Sequence, residues 1–226
     1  MKVLVVAAHP DDEVLGCGGT IARLAREGHE VYIAILAEGI TSRYSQRAEA
    51  DLSLVRDLHE NSRQAASTLG AKEVSLHGLP DNRMDTMPLL DVVKIVESLI
   101  EKISPSRIYT HHGGDLNIDH TVVHRAVLTA TRPVPGCPVR EIYLFEVPSS
   151  TEWAFQQFEG SFRPNTFVDV GQTLEVKITA MACYKSEERA FPHPRSSEAL
   201  KAGAQRWGSV AGCAAAEAFQ LVRAVV

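Results

Sequence analysis

A chain of 226 residues, 45% hydrophobic and 23% charged, has the composition of a folded globular protein and the length of one sizeable α/β domain. A formal net charge of −5 offers no attraction for nucleic acid or an anionic membrane, and no apolar run approaches the roughly 20 residues of a membrane helix. Cys17, Cys137, Cys183 and Cys213 lie far apart with no C-x-x-C pair, which argues against a cysteine zinc site or a dense disulfide framework; without a secretory h-region, the expected location is the cytosol.

Residues 2–7, KVLVVA, are short, continuous and Val-rich, the pattern of a buried strand. Val14, Leu15, Ile21, Leu24 and Ala25 recur at helical spacing over 14–27 with Gly28 as a stop, and HEVYIAIL (29–36) reads as a second strand. Such a β-α-β unit predicts a parallel sheet with a right-handed crossover. The pattern repeats. A polar loop (38–47) leads to a helix over 48–69 ended by Gly70, a strand at 73–78 and a loop, LPDNRMDTMP (79–88). Leu89, Val92, Val93, Val96 and Ile100 mark the next helix, followed by a strand at 106–112, a helix at 119–132 and a strand at 141–147. Beyond 150 the pattern loosens: a strand at 166–170, a helix at 172–187, a Pro-rich loop FPHPRS (191–196) before a last helix, and an edge strand at 218–225. Alternating strands and helices without repeat or linker predict one domain over 1–226, a Rossmann-like three-layer α/β/α sandwich with a mostly parallel sheet. Its core is expected at 1–147, with 148–226 completing the pocket or an interface.

In open α/β sheets ligands bind beyond the carboxyl ends of the strands, and the polar residues of this chain collect there. The first strand runs into His9-Pro10-Asp11-Asp12-Glu13, the third ends near Asp81 and Arg83, and the fourth enters His111-His112-Gly113-Gly114-Asp115-Leu116-Asn117-Ile118-Asp119-His120. A dinucleotide site fits poorly. Gly16, Gly18 and Gly19 lie near the right place, but Ile21 stands where the fingerprint needs glycine, and three carboxylates precede it. Close packing of the first helix on the sheet is the preferred reading of these glycines. A metal explains the charges better: His9 and one aspartate can supply two ligands from one turn and His120 a third, while the second carboxylate stays free as a base. The competing reading is that Asp11 and Asp12 cap the helix.

The stretch AHPDDE (8–13), with GGTIA (18–22) and a later D-x-x-x-D-H (115–120), resembles the PIG-L/LmbE-like family of zinc-dependent N-deacetylases. By that resemblance His9, Asp12 and His120 bind Zn2+, Asp11 is the general base and Asp119 orients a neighbour. Fe2+ or Mn2+ suits the same donors. Zinc lowers the pKa of water toward about 7, Asp11 takes the proton, and the resulting nucleophile attacks the acetyl carbonyl. Many members carry histidine three residues before the last ligand; here that position is Asn117, which can donate a hydrogen bond to an oxyanion but cannot deliver a proton. Either Asp11 carries both proton transfers, or His112 or His193 helps.

Asp81 and Arg83 lie where the family places sugar contacts, and Arg83 or Arg43 would suit a phosphate or carboxylate on the substrate. Surface salt bridges are the alternative for both arginines. Trp153 could stack on a sugar face or pack in the core or at an interface. The leading expectation is hydrolysis of the acetyl group of an N-acetylated amino sugar or sugar conjugate. Hydrolysis of another amide, such as a thiol conjugate or an acylated natural-product intermediate, and metal-dependent binding without turnover stand beside it. The expected partner is a small molecule, with homo-oligomerisation open.

Overall fold

The aliphatic run Lys2–Ala7 (β1) is buried from Val3 onward and is an interior strand of the sheet in the computed structural model, which describes residues 1–158 and 160–226. It pairs in parallel with Glu30–Ala37 (β2) on one side; Glu73–Leu79 (β3) adds in parallel beyond β2. On the other side lies Arg107–His111 (β4), followed by Glu141–Phe145 (β5), again parallel. Thr166–Asp169 (β6) and Ala216–Ala224 (β7) extend the sheet antiparallel, giving the order β3-β2-β1-β4-β5-β7-β6. The last strand was expected at an edge, but it lies between β5 and β6, and β6 is outermost. The alternation in AEAF suggests a half-exposed strand, whereas Ala216, Glu217, Ala218 and Phe219 are all buried.

The pleat sends alternate residues of β1 to opposite faces. Val3 and Val5, with Val31 and Ile33 of β2, face Asp12–Arg26 (α1), Leu52–Leu69 (α2) and Leu174–Met181 (α5). Leu4 and Val6, with Ala34 and Leu36, face Leu89–Ile103 (α3) and Ile118–Ala130 (α4). Ser197–Ala211 (α6) packs Leu200 and Ala204 beside β7. Helix limits follow their caps. Asp51 accepts from Ser53 N at 2.8 Å, so α2 starts at Leu52 rather than at 48, and Gly70 ends it at φ 77°. Among the described residues, no helix is long and apolar enough to cross a membrane.

α1 is not continuous. Its backbone leaves helical geometry at Cys17 (φ −149°, ψ 24°). Just beyond, the N–H groups of Gly19 and Thr20 donate to the two carboxylate oxygens of Glu217, at 2.9 and 2.7 Å. Lys177 Nζ donates both to Glu217 Oε1 (2.6 Å) and to the carbonyl of Leu15 (2.8 Å), so one buried ion pair ties both sides of the break to α5 and β7. Before the break, Gly16 lets the helix touch the sheet: a Cβ there would lie 2.2 Å from the ring of Phe145. Gly16→Ala is therefore expected to destabilise the fold by about 1–3 kcal/mol, read as a lower urea midpoint with unchanged slope.

Candidate metal centre

β1 and β4 are neighbours from which the chain departs in opposite directions, which makes the gap at their carboxyl ends the place for a ligand. The turn after β1 is tight. Asp11 is left-handed (φ 97°), and Asp12 Oδ2 folds back to accept from His9 N at 2.8 Å. Asp11 makes no side-chain cap to α1, which removes capping as an account of its carboxylate. α4 begins at Ile118, after Asn117 caps it by accepting from Asp119 N at 2.9 Å, and so presents His120 from its first turn.

His9 Nδ1, Asp12 Oδ2 and His120 Nε2 meet. The two nitrogens are 3.3 Å apart, and the carboxylate oxygen is 3.3 Å from His9 and 3.2 Å from His120. Ligands at about 2.0–2.1 Å from a tetrahedral zinc stand about 3.3–3.4 Å from one another, so the three donors fit such an ion. Each imidazole is backed by a carboxylate on its other nitrogen. His9 Nε2 lies 3.0 Å from Asp119 Oδ2 and 3.3 Å from Asp81 Oδ1, and His120 Nδ1 lies 3.1 Å from Asp115 Oδ1. Those carboxylates are anchored in turn. Asp119 accepts from the backbone N–H groups of Asn82 (2.7 Å) and Met84 (2.9 Å), and Asp115 from the hydroxyls of Ser150 and Thr151. His9, Asp81 and Asp119 also form a donor group, but its carboxylates already hold these backbone donors, with Asp81 Oδ2 accepting from Ser42 N at 2.9 Å. Asp119→Ala is expected to weaken zinc binding about 10- to 100-fold, measured by chelator competition, because it releases His9 from its orientation.

The electrostatics favour a cation. Burial works against charge on both histidines, yet hydrogen bonds from His9 to Asp119 and Asp12 raise it to about 10, and Asp12 and Asp115 raise His120 to about 9. Burial also opposes ionisation of Asp12, but His120 and His9 hold it well below the usual carboxylate range. The negative charge of Asp12, Asp81, Asp115 and Asp119 that holds protons on these histidines would equally favour a divalent ion in their place. His111 is the exception: burial and the neighbouring His120 keep it neutral, its Nε2 accepts from Ala8 N at 2.8 Å, and its ring stacks on His120 at 4.0 Å. Burial pushes Asp11 well above the ordinary carboxylate range, opposed by Arg195, whose Nη1 is 2.7 Å from Asp11 Oδ2.

A cleft of about 560 Å³ opens over the three donors, walled among others by Asp11, Arg43, Asp81, Asn117, Trp153 and Arg195. Arg43 lies there with Nη2 2.7 Å from both oxygens of Glu187, and Asn117 Nδ2 donates to Asn82 Oδ1 at 2.8 Å. Three expected site residues lie elsewhere. Arg83 is exposed outside the cleft wall. His112 is buried and turned toward the carbonyl of Gly160 and the ring of Phe162. His193 sits edge-on behind Trp153 at 5.6 Å and accepts from Arg195 N at 3.1 Å. Arg195, Glu187 and Asp115 were not singled out by their sequence. The available signal for Arg195 was the need of a buried carboxylate for a permanent cation.

The chain matches, over residues 4–131, the family model described as PIG-L, GlcNAc-PI de-N-acetylase. The chain belongs to the PIG-L family. It is 31% identical over 190 residues to the Escherichia coli K12 protein named uncharacterized deacetylase YaiS, spanning 81% of this chain and 90% of that one. A probable N-acetyl-alpha-D-glucosaminyl L-malate deacetylase 2 of Bacillus cereus is 26% identical over 194 residues, 84% of each chain. The fold is shared with GalB, the 4-carboxy-2-hydroxymuconate hydratase of Pseudomonas putida KT2440, at TM-score 0.77 and 23% identity over 100% of this chain and 97% of that one. PIG-L membership and the His/Asp donor set together support a hydrolytic, deacetylase-type enzyme with a divalent-metal site.

Proposed function

We propose that this PIG-L protein is a zinc-dependent N-deacetylase acting on an N-acetylated amino sugar or sugar conjugate, with His9, Asp12 and His120 as ligands and Asp11 as general base. The observation that carries the reading is a carboxylate outside the donor set: Asp11 lines the cleft beside the three donors, belongs to neither donor group, caps nothing, and meets Arg195 through Oδ2 alone. A binding site needs ligands but has no use for an additional buried base. Zinc held there supplies Lewis acidity toward the acetyl carbonyl and makes water a stronger acid. Asp11 takes the proton of the attacking water and returns it to the leaving amine. Arg195 holds Asp11 Oδ2, leaving Oδ1 for the proton. Asn117 Nδ2 has a second hydrogen beyond the one given to Asn82, available to a developing oxyanion. Asp119 orients His9, and Asp81 accepts from sugar hydroxyls. No role is proposed for Arg83, His112 or His193, which lie outside the cleft wall.

The test is acetate release from N-acetylglucosamine and its glycosides by zinc-loaded protein, followed by proton NMR. Acetate and free amine in equal amounts are the expected products. Another amide as substrate would show as release from acyl conjugates with none from acetyl sugars. Addition of water to an unsaturated dicarboxylate, with the acetyl sugars untouched, would replace the deacetylase reading with hydration.

A further inference from the structure

Among the described residues, the cleft wall holds two arginines, Arg43 and Arg195, and both are already bound by carboxylates. Glu187, itself buried, accepts from Arg43 Nη2 at 2.7 Å with each of its oxygens and lies 3.3 Å from Arg195 Nη1. Arg195 Nη1 is spent a second time on Asp11 Oδ2 at 2.7 Å. The remaining charges near the donors are acidic: Asp12 and Asp81 on the wall, and Asp115 and Asp119 behind the histidines. Two positive charges of a metal added to those of the arginines still leave six carboxylates in excess by two. A substrate anion entering here finds each guanidinium already charge-paired, so it must compete with Glu187 and Asp11 for them and meets like charge from the other carboxylates, a juxtaposition that interfaces use to reject wrong partners.

The mouth of the cleft has the opposite character. Leu116, Ile118 and Trp153 line it with 49, 44 and 40% of their surfaces exposed. Three exposed apolar side chains on one wall, one of them aromatic, suit the C–H face of a second sugar ring or an alkyl group.

Resting on the deacetylase reading, we infer that the cleft selects an uncharged aglycone, a neutral sugar or alkyl group on the N-acetylated amino sugar, and rejects one carrying phosphate or carboxylate. Glu187 is the residue that sets this selection, by neutralising Arg43. An arginine near the reacting sugar would ordinarily signal an anionic substrate; here its charge is consumed within the wall.

The β-N-acetylglucosaminides of glycerol and of glyceric acid differ essentially in aglycone charge and make the test. Calorimetry on zinc-loaded Asp11→Asn protein, which keeps the cleft but not the turnover, gives the two Kd values, and acetate release is measured separately on the unmodified protein. The glycerol glycoside is expected to bind at least about ten-fold more tightly. Glu187→Gln, which frees Arg43, is expected to move the ratio of the two Kd values toward the glycerate by about ten-fold, whatever its effect on absolute rates. Equal or tighter binding of the glycerate glycoside by the Asp11→Asn protein with Glu187 intact overturns the inference. Failure of the unmodified protein to release acetate from the glycerol glycoside would contradict the deacetylase reading separately, because the Kd ratio is read on the Asp11→Asn protein.

Discussion

Asp11→Asn is expected to retain zinc and to lose about 100- to 10,000-fold in acetate release, the range that a positioned acid–base group supplies. The substitution changes little else. Asparagine has the same shape, is among the few residues that adopt the left-handed backbone of position 11 (φ 97°), and still offers an oxygen to Arg195. It cannot take a proton from water. Zinc content by mass spectrometry and acetate release by NMR on the same preparation separate the two roles. Loss of zinc would make Asp11 a ligand, and normal turnover would remove it from the reaction.

Glu217→Ala is expected to cost about 3–5 kcal/mol of stability, the range for removing one partner of a buried ion pair. Two losses combine: Lys177 keeps a buried charge without its carboxylate, and the N–H groups of Gly19 and Thr20 lose their acceptor at the break in α1. Because the helix that begins with Asp12 contains this break, the same variant tests how far the donor turn depends on it. Denaturant unfolding gives the cost, and the double variant Glu217→Leu/Lys177→Met should lose clearly less than the two single losses added. A single-variant effect near zero would mean that water or a neighbouring group takes over the freed donors.

Much of this arrangement is legible from residues close together in the chain. Short loops and single helices between hydrophobic runs dictate the first five parallel strands, since each crossover returns to the same sheet. The crowding of His9, Asp11 and Asp12 after β1, and of His120 at the start of α4, points to one ligand because both stretches follow strand ends. Residues contributed from afar are not legible in the same way. Arg195 reaches Asp11 across 184 positions, from a loop whose pattern is loose, and His193 beside it attracts notice only as a titratable group. Glu187 carries no local mark of its position against Arg43. Asp115 and Asp119 are interchangeable in sequence; the path of the loop before α4 sends one behind His120 and the other behind His9. Glu217 misleads in the other direction, since a charge in an alternating strand suggests solvent while this one is buried against the break in α1. In each case a long-range polar contact replaces the exposure that the residue type suggests.

The most direct test of the central claim is a titration of chelator-stripped protein with zinc, reading the rate of acetate release from a neutral N-acetylglucosaminide after each addition. The rate should rise from near zero in proportion to bound zinc and level off at one ion per chain, and His9→Ala should stay flat throughout. Full activity in the stripped protein, or an unaltered titration in His9→Ala, would contradict a metal-dependent deacetylase centred on His9, Asp12 and His120.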